Sequence, residues 1–196
     1  MIFFLSGFSF WHFKNWKKSI SEFKPPKFEI PKPEIFPKKE GYKEWISPDG
    51  KLKMKYKGDW IEMKKEFFGI LASEEKGETL FFAQKFIFEK GAQGFLVVRK
   101  INSKDGMNLK EFIENMKRET ESKGGKMEIL HSVIKEDTAT LEIKYEKMGK
   151  PSLHSKEKIF LGKEAVYLVT FFTFEKNWDA FQQETEEIIN NIQFLE

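Results

Sequence analysis

From Tyr42 onward, apolar and polar positions alternate in short runs separated by turn residues, the pattern of half-buried strands. It is plainest in Thr138–Glu146, where Ala139, Leu141, Ile143 and Tyr145 alternate with Thr140, Glu142, Lys144 and Glu146. Leu52, Met54 and Tyr56 alternate with lysines after Ser47-Pro48-Asp49-Gly50, whose proline, aspartate and glycine are turn chemistry. A strand ending at Ile46 precedes that turn, and Lys57-Gly58-Asp59 leads into Trp60–Met63. Further strands are expected at Thr79–Glu89, Phe95–Ile101, Met127–Ile134, Leu153–Leu161 and Glu164–Phe174, with a short one near Phe194. In the Glu164–Phe174 run, Val166, Leu168, Phe172 and Phe174 share one face, and Tyr167, Val169 and Phe171 the other. Two apolar faces predict a central strand covered on both sides.

Two stretches change period. Asn108 with Glu111 resembles a capping box, and Leu109, Phe112, Ile113 and Met116 follow at helical spacing until Gly124-Gly125. A second helix is expected from Asn177, with Trp178, Phe181, Thr185, Ile188 and Ile192 on its apolar face and Glu184, Glu186 and Glu187 on the solvated one. Tight turns between strands require antiparallel pairing, and amphipathic helices need a sheet to cover. The fold class is therefore α+β, an antiparallel β-sheet with amphipathic helices packed on it.

Residues 42–196 form that domain, and the first forty residues read differently. Residues 1–18 open with a run of about thirteen apolar and aromatic residues, too short for the ~20 that span a bilayer. The run lacks the basic start of a signal peptide. Aromatics followed by lysines match the interfacial belt of a membrane segment, so Phe8, Phe10, Trp11, Phe13, Lys14, Trp16, Lys17 and Lys18 are the candidate membrane contacts. An interfacial anchor and the end of a spanning helix that begins upstream both fit; a disordered or core-packed N-terminus with a chance aromatic cluster is the plain alternative. Residues 19–41 form a linker, with five prolines between Phe23 and Lys39. Proline excludes helix and central strand, predicting an extended tether on the order of 50 Å long.

Charge follows the same division. The chain carries +3, but Met1–Glu40 holds eight lysines and four glutamates, leaving the domain near −1. A near-neutral domain lacks the basic footprint of a nucleic-acid binder. There is no cysteine, which excludes disulfides, thiolate metal sites and thiol nucleophiles. The histidines are His12, His131 and His154. His131 and His154 fall on strands separated by one other, and with Glu128 or Glu157 they would offer nitrogen and oxygen ligands to Zn²⁺ or Mn²⁺. Two histidines without ligand spacing are more often sheet residues, so this small-molecule or metal site is the alternative reading. Ser132 and Ser155 adjoin them but must point to opposite faces. Gly91-Ala92-Gln93-Gly94 lacks the lysine and hydroxyl residue of a phosphate loop. Lys51, Lys53, Lys55 and Lys57 line one strand face, as a solvated stripe, as an edge guarded by lysine against aggregation, or as a surface for anionic head groups. No catalytic or cofactor residue is identified, no cofactor is implied, and enzymatic activity is not expected.

Three stretches carry a resemblance: Ser47 to Trp60 (SPDGKLKMKYKGDW), the helix Asn108–Lys123, and the closing strand and helix from Ala165 to Phe194. Together they resemble the PsbP-like α/β/α sandwich family, whose fold is shared with a Ran-binding nuclear import factor. The resemblance implies a non-enzymatic binding or assembly module with a protein partner, often on the outer face of a membrane. Plant and cyanobacterial members stabilise photosystem II, and nothing in this sequence points to photosynthesis. Membrane association, on the extracytoplasmic side, is the corresponding expectation for this chain. The shared positions are packing positions, so the resemblance transfers no site residue.

Overall fold

The first hairpin is set by its turn: Gly50 N–H donates to Ser47 O at 2.8 Å, and Leu52 N–H donates to Ser47 Oγ at 2.9 Å. This is a computed structural model, and it describes residues 41–64, 77–103 and 107–195. The candidate membrane contacts and the linker as far as Glu40 lie outside the described residues. The turn joins β1 (Tyr42–Ile46) to β2 (Leu52–Lys57). There follow β3 (Ile61–Glu62), β4 (Glu78–Ile87), β5 (Ala92–Asn102), α1 (Leu109–Ser122), β6 (Gly125–Lys135), β7 (Thr138–Lys147), β8 (Leu153–Leu161), β9 (Ala165–Phe174), α2 (Trp178–Asn190) and β10 (Gln193–Phe194). Short 3₁₀ turns at Phe88–Lys90 and Glu175–Asn177 complete the elements.

All pairing is antiparallel, but the strands divide into two sheets rather than the single one expected. A three-stranded sheet runs β1-β2-β10, and a seven-stranded sheet runs β3-β4-β5-β9-β8-β7-β6. The chain must return from α2 to add β10 to the first hairpin, a pairing that local pattern does not signal. β9 is the middle strand of the larger sheet, and its first nine residues are buried on both faces, as two apolar stripes require.

Each face of the large sheet has its own core. On one side α1 sets Leu109, Phe112 and Ile113 against Phe95, Ile143, Leu168 and Phe172. On the other, α2, the small sheet and the turn after β2 set Phe181, Ile188, Leu52 and Trp60 against Phe81, Leu96 and Phe171. The result is three layers. The start of α1 is capped as anticipated, with Glu111 N–H donating to Asn108 Oδ1 at 2.9 Å. At its end only Gly124 takes the left-handed conformation, at φ +72°, and Gly125 is already the first residue of β6. Glu184 is a correction: it lies 9% exposed beneath α2, not on its solvated face. None of the described helices is long and apolar enough to cross a membrane.

Candidate functional site

β8 distributes the candidate site residues by parity. His154 and Lys156 face α2, whereas Ser155 and Glu157 face α1, because neighbours on a strand point to opposite sides. Glu157 therefore cannot join His154 at a metal. The His154 ring is 4% exposed and stacks on Trp178, with centroids 3.7 Å apart and planes 4° from parallel. Its Nε2 lies 3.0 Å from Glu142 Oε1. Nδ1 lies 3.2 Å from Glu175 Oε2, close enough for ion pairing but not aligned for a hydrogen bond. Lys156 continues the network to Glu142 at 3.9 Å and to Glu186 on α2.

His131 stands opposite Glu142 on the exposed outer strand, so one carboxylate separates the two histidines across the sheet. Glu128 is exposed and pairs with Lys126 at 3.3 Å. Among the described residues, no three His, Asp or Glu side chains come together to hold a metal ion. The histidine–carboxylate cluster ties the start of α2 to β7 and β8.

A second network fastens the small sheet. Glu184 accepts from Trp60 Nε1 at 2.7 Å and from Lys85 Nζ at 2.7 Å, and Lys85 also reaches Asp59 at 2.7 Å. Asp49, in the first turn, accepts from Lys100 Nζ at 2.7 Å and from the Tyr167 hydroxyl. Partial burial pushes its pKa up, but the bonds from Lys100, Ser47, Tyr167 and the Lys51 amide prevail and hold it well below the usual carboxylate range. Glu184→Gln keeps an acceptor for Trp60 but removes the charge opposite Lys85. We expect a loss of about 1–2 kcal/mol, read by urea denaturation. No loss would mean that Asp59 alone satisfies Lys85.

On the α1 face, Glu157 is completely buried. Its Oε1 accepts from Tyr145 Oη at 3.1 Å and Ser155 Oγ at 3.4 Å, while Oε2 has no hydrogen-bond partner among the described residues. Burial pushes its pKa up to about 7, against the lowering effects of Tyr145, Ser155 and the Arg99 charge. Burial, with the adjacent Glu157 charge and hydrogen bond, also drives the Tyr145 phenol well above its ordinary value. Glu157 and Glu184 are the buried carboxylates among the described residues. For Glu157 the available signal was position: β8 lies beside the central strand β9, where both faces of a strand are covered.

The lysine stripe of β2 is largely paired: Lys53 and Lys55 lie 2.9 and 3.9 Å from Glu44, and Lys57 lies 3.3 Å from Glu187. β2 is the middle strand of the small sheet, so the stripe guards no edge, and the pairing favours a solvated face over a head-group surface. The free surface of the sheet lies elsewhere, along β6, where every residue from Glu128 to Lys135 is exposed.

An antiparallel seven-stranded sheet between one helical layer and a mixed helix-and-sheet layer defines the protein's class as an α+β sandwich. No family model matches the chain, and no curated protein matches it. Among solved structures it is similar to the solution structure of cyanobacterial PsbP (CyanoP) from Synechocystis sp. PCC 6803, at 11% identity and a TM-score of 0.57. That match covers 79% of this chain and 92% of the cyanobacterial one. A crystal structure from Bacteroides thetaiotaomicron VPI-5482 aligns at 16% identity and a TM-score of 0.44, over 79% of this chain and 48% of the other. The fold is PsbP-like, in agreement with the resemblance carried by the first hairpin, the middle helix and the closing strand and helix.

Proposed function

We propose that this protein is a non-catalytic binding or assembly module, held at a membrane surface by its N-terminal segment and working on the extracytoplasmic side. The observation that supports it most is the extent of the fold likeness: the sandwich accounts for nearly the whole of a PsbP structure. The use of the buried polar groups is in keeping with this. Glu184, His154 and Lys156 each join one layer to another. On this reading the prolines at 25, 26, 31, 33 and 37 space the sandwich from the bilayer, and its partner is a protein within reach of the tether.

The test uses the full chain. Wild type and a variant with Phe8, Phe10, Trp11, Phe13 and Trp16 all replaced by serine are expressed and fractionated. Wild type is expected in the membrane pellet, and the variant in the supernatant with an unchanged circular dichroism spectrum. Equal partition of the two would remove the membrane half of the proposal.

A further inference from the structure

The two edges of the large sheet are unlike. One ends in β3, only two residues long, which is a common protection against unwanted pairing. The other is β6, eleven residues long, with no described strand on its outer side. Ile129, Leu130, Val133 and Ile134 are exposed there by 37, 47, 46 and 51%. Neither proline nor glycine interrupts the strand between Lys126 and Lys135. A long apolar edge of this kind is a template for another strand.

The register identifies that strand. Ile129 pairs with Ile143 and His131 with Glu142, which are consecutive on β7, so Leu130 is the extra residue of a β-bulge. The bulge resets the alternation. Glu128 and Lys135 are seven residues apart and would otherwise point to opposite faces. Here Glu128 pairs with Lys144 and Lys135 with Thr138, both on the α2 face of β7. Ile129 and Ile134, five apart, both lie on the α1 face, opposite Ile143 and Ala139.

We propose that β6 is the interface at which two copies of this chain pair antiparallel, about a twofold axis through Ser132. In this register Ser132 meets its own symmetry mate, His131 meets Val133, Ile129 and Leu130 together meet Ile134, and Glu128 meets Lys135. Every opposed pair then shares a face, as antiparallel pairing demands. The charges complement each other at both ends of the contact. Lys135 has no carboxylate partner among the described residues, and its charge helps lower the pKa of Lys158, after burial. A neighbouring Glu128 from the second copy would supply one. Two sheets joined in this way form a continuous fourteen-stranded sheet. Eight residues per strand is a small contact, so the dimer should be concentration-dependent, half formed on the order of 10–100 µM.

The experiment exploits a chain without cysteine. In the full-length protein, Ser132→Cys places one thiol on the axis, where opposed Cα atoms would lie about 4.5–5.5 Å apart, within disulfide reach. Lys135→Cys places its pair roughly 20 Å apart. Under mild oxidant, Ser132→Cys is expected to form a linked dimer at least about tenfold faster than Lys135→Cys. In sedimentation, Glu128→Lys alone and Lys135→Glu alone should each weaken the dimer about tenfold, since each creates two like-charge contacts. Combining the two exchanges should restore it. A chain that stays monomeric at several hundred micromolar overturns the proposal, whether some other segment of the chain or a different protein covers the edge. Equal crosslinking at both cysteines, or no rescue by the charge exchange, overturns it as well.

Discussion

Phe181→Ala is expected to cost about 3–5 kcal/mol, the largest loss from any single truncation proposed for this protein. The Phe181 side chain is fully buried, and its ring centroid lies 5.5 Å from that of Phe171 on the central strand. Beneath both rings lies Gly94 on β5, where a Cβ would come within 3.0 Å of each. The α2 layer thus rests directly on the backbone of β5. Urea denaturation followed by circular dichroism reads the cost. Gly94→Ala checks the geometry independently, with an expected loss of about 1–3 kcal/mol from overpacking. The two substitutions should not add, because removing Phe181 relieves one of the two close contacts. A Gly94→Ala cost that is the same in both backgrounds would show that ring and glycine do not touch as described.

Local chemistry was legible where it is self-contained. The alternation in β7, the double apolar face of β9 and the cap at Asn108 each depend on residues a few positions apart, and all three appear as read. The failures concern partners distant in sequence. Glu184 follows the charge pattern of a solvated helix face, yet it serves Trp60, 124 positions earlier, and Lys85. The small sheet separates because β10 returns to β2 after both helices. β6 is expected from sequence simply as a strand, in which Met127, Ile129 and Ile134 are as apolar as core. Its edge position and its bulge are properties of the assembled sheet. Among the candidate site residues, parity along β8 correctly separated Ser155 from His154. The same rule, applied to Glu157, would have removed it from the metal set. The burial of Glu157 follows from the place of β8 next to β9, not from the residues of β8 themselves.

Glu157 should make the protein less stable as the medium approaches neutrality. Unfolded, its carboxyl titrates near 4.5; folded, near 7. Below pH 4.5 the group is protonated in both states and costs nothing. Between 4.5 and 7 the unfolded chain releases the proton while the folded chain keeps it, so stability falls by up to about 1.4 kcal/mol per pH unit. Above 7 the loss levels off at about 3 kcal/mol, the cost of an ionised group in a fully buried site. Glu157→Gln cannot ionise, and its amide keeps an acceptor for Tyr145. The variant is expected to gain most of that 3 kcal/mol at pH 8, to differ little from wild type at pH 4.5, and to lose the slope between. Asp49 does not confuse the measurement. Its depressed pKa gives stability that is present above its unfolded value of 3.8 and lost only as the medium becomes more acid than that. Tyr145 titrates above 10, outside the window at the other end. Urea denaturation of both proteins at pH 4.5, 6 and 8 decides the point: parallel profiles would mean that the Glu157 carboxyl is solvated in the folded state.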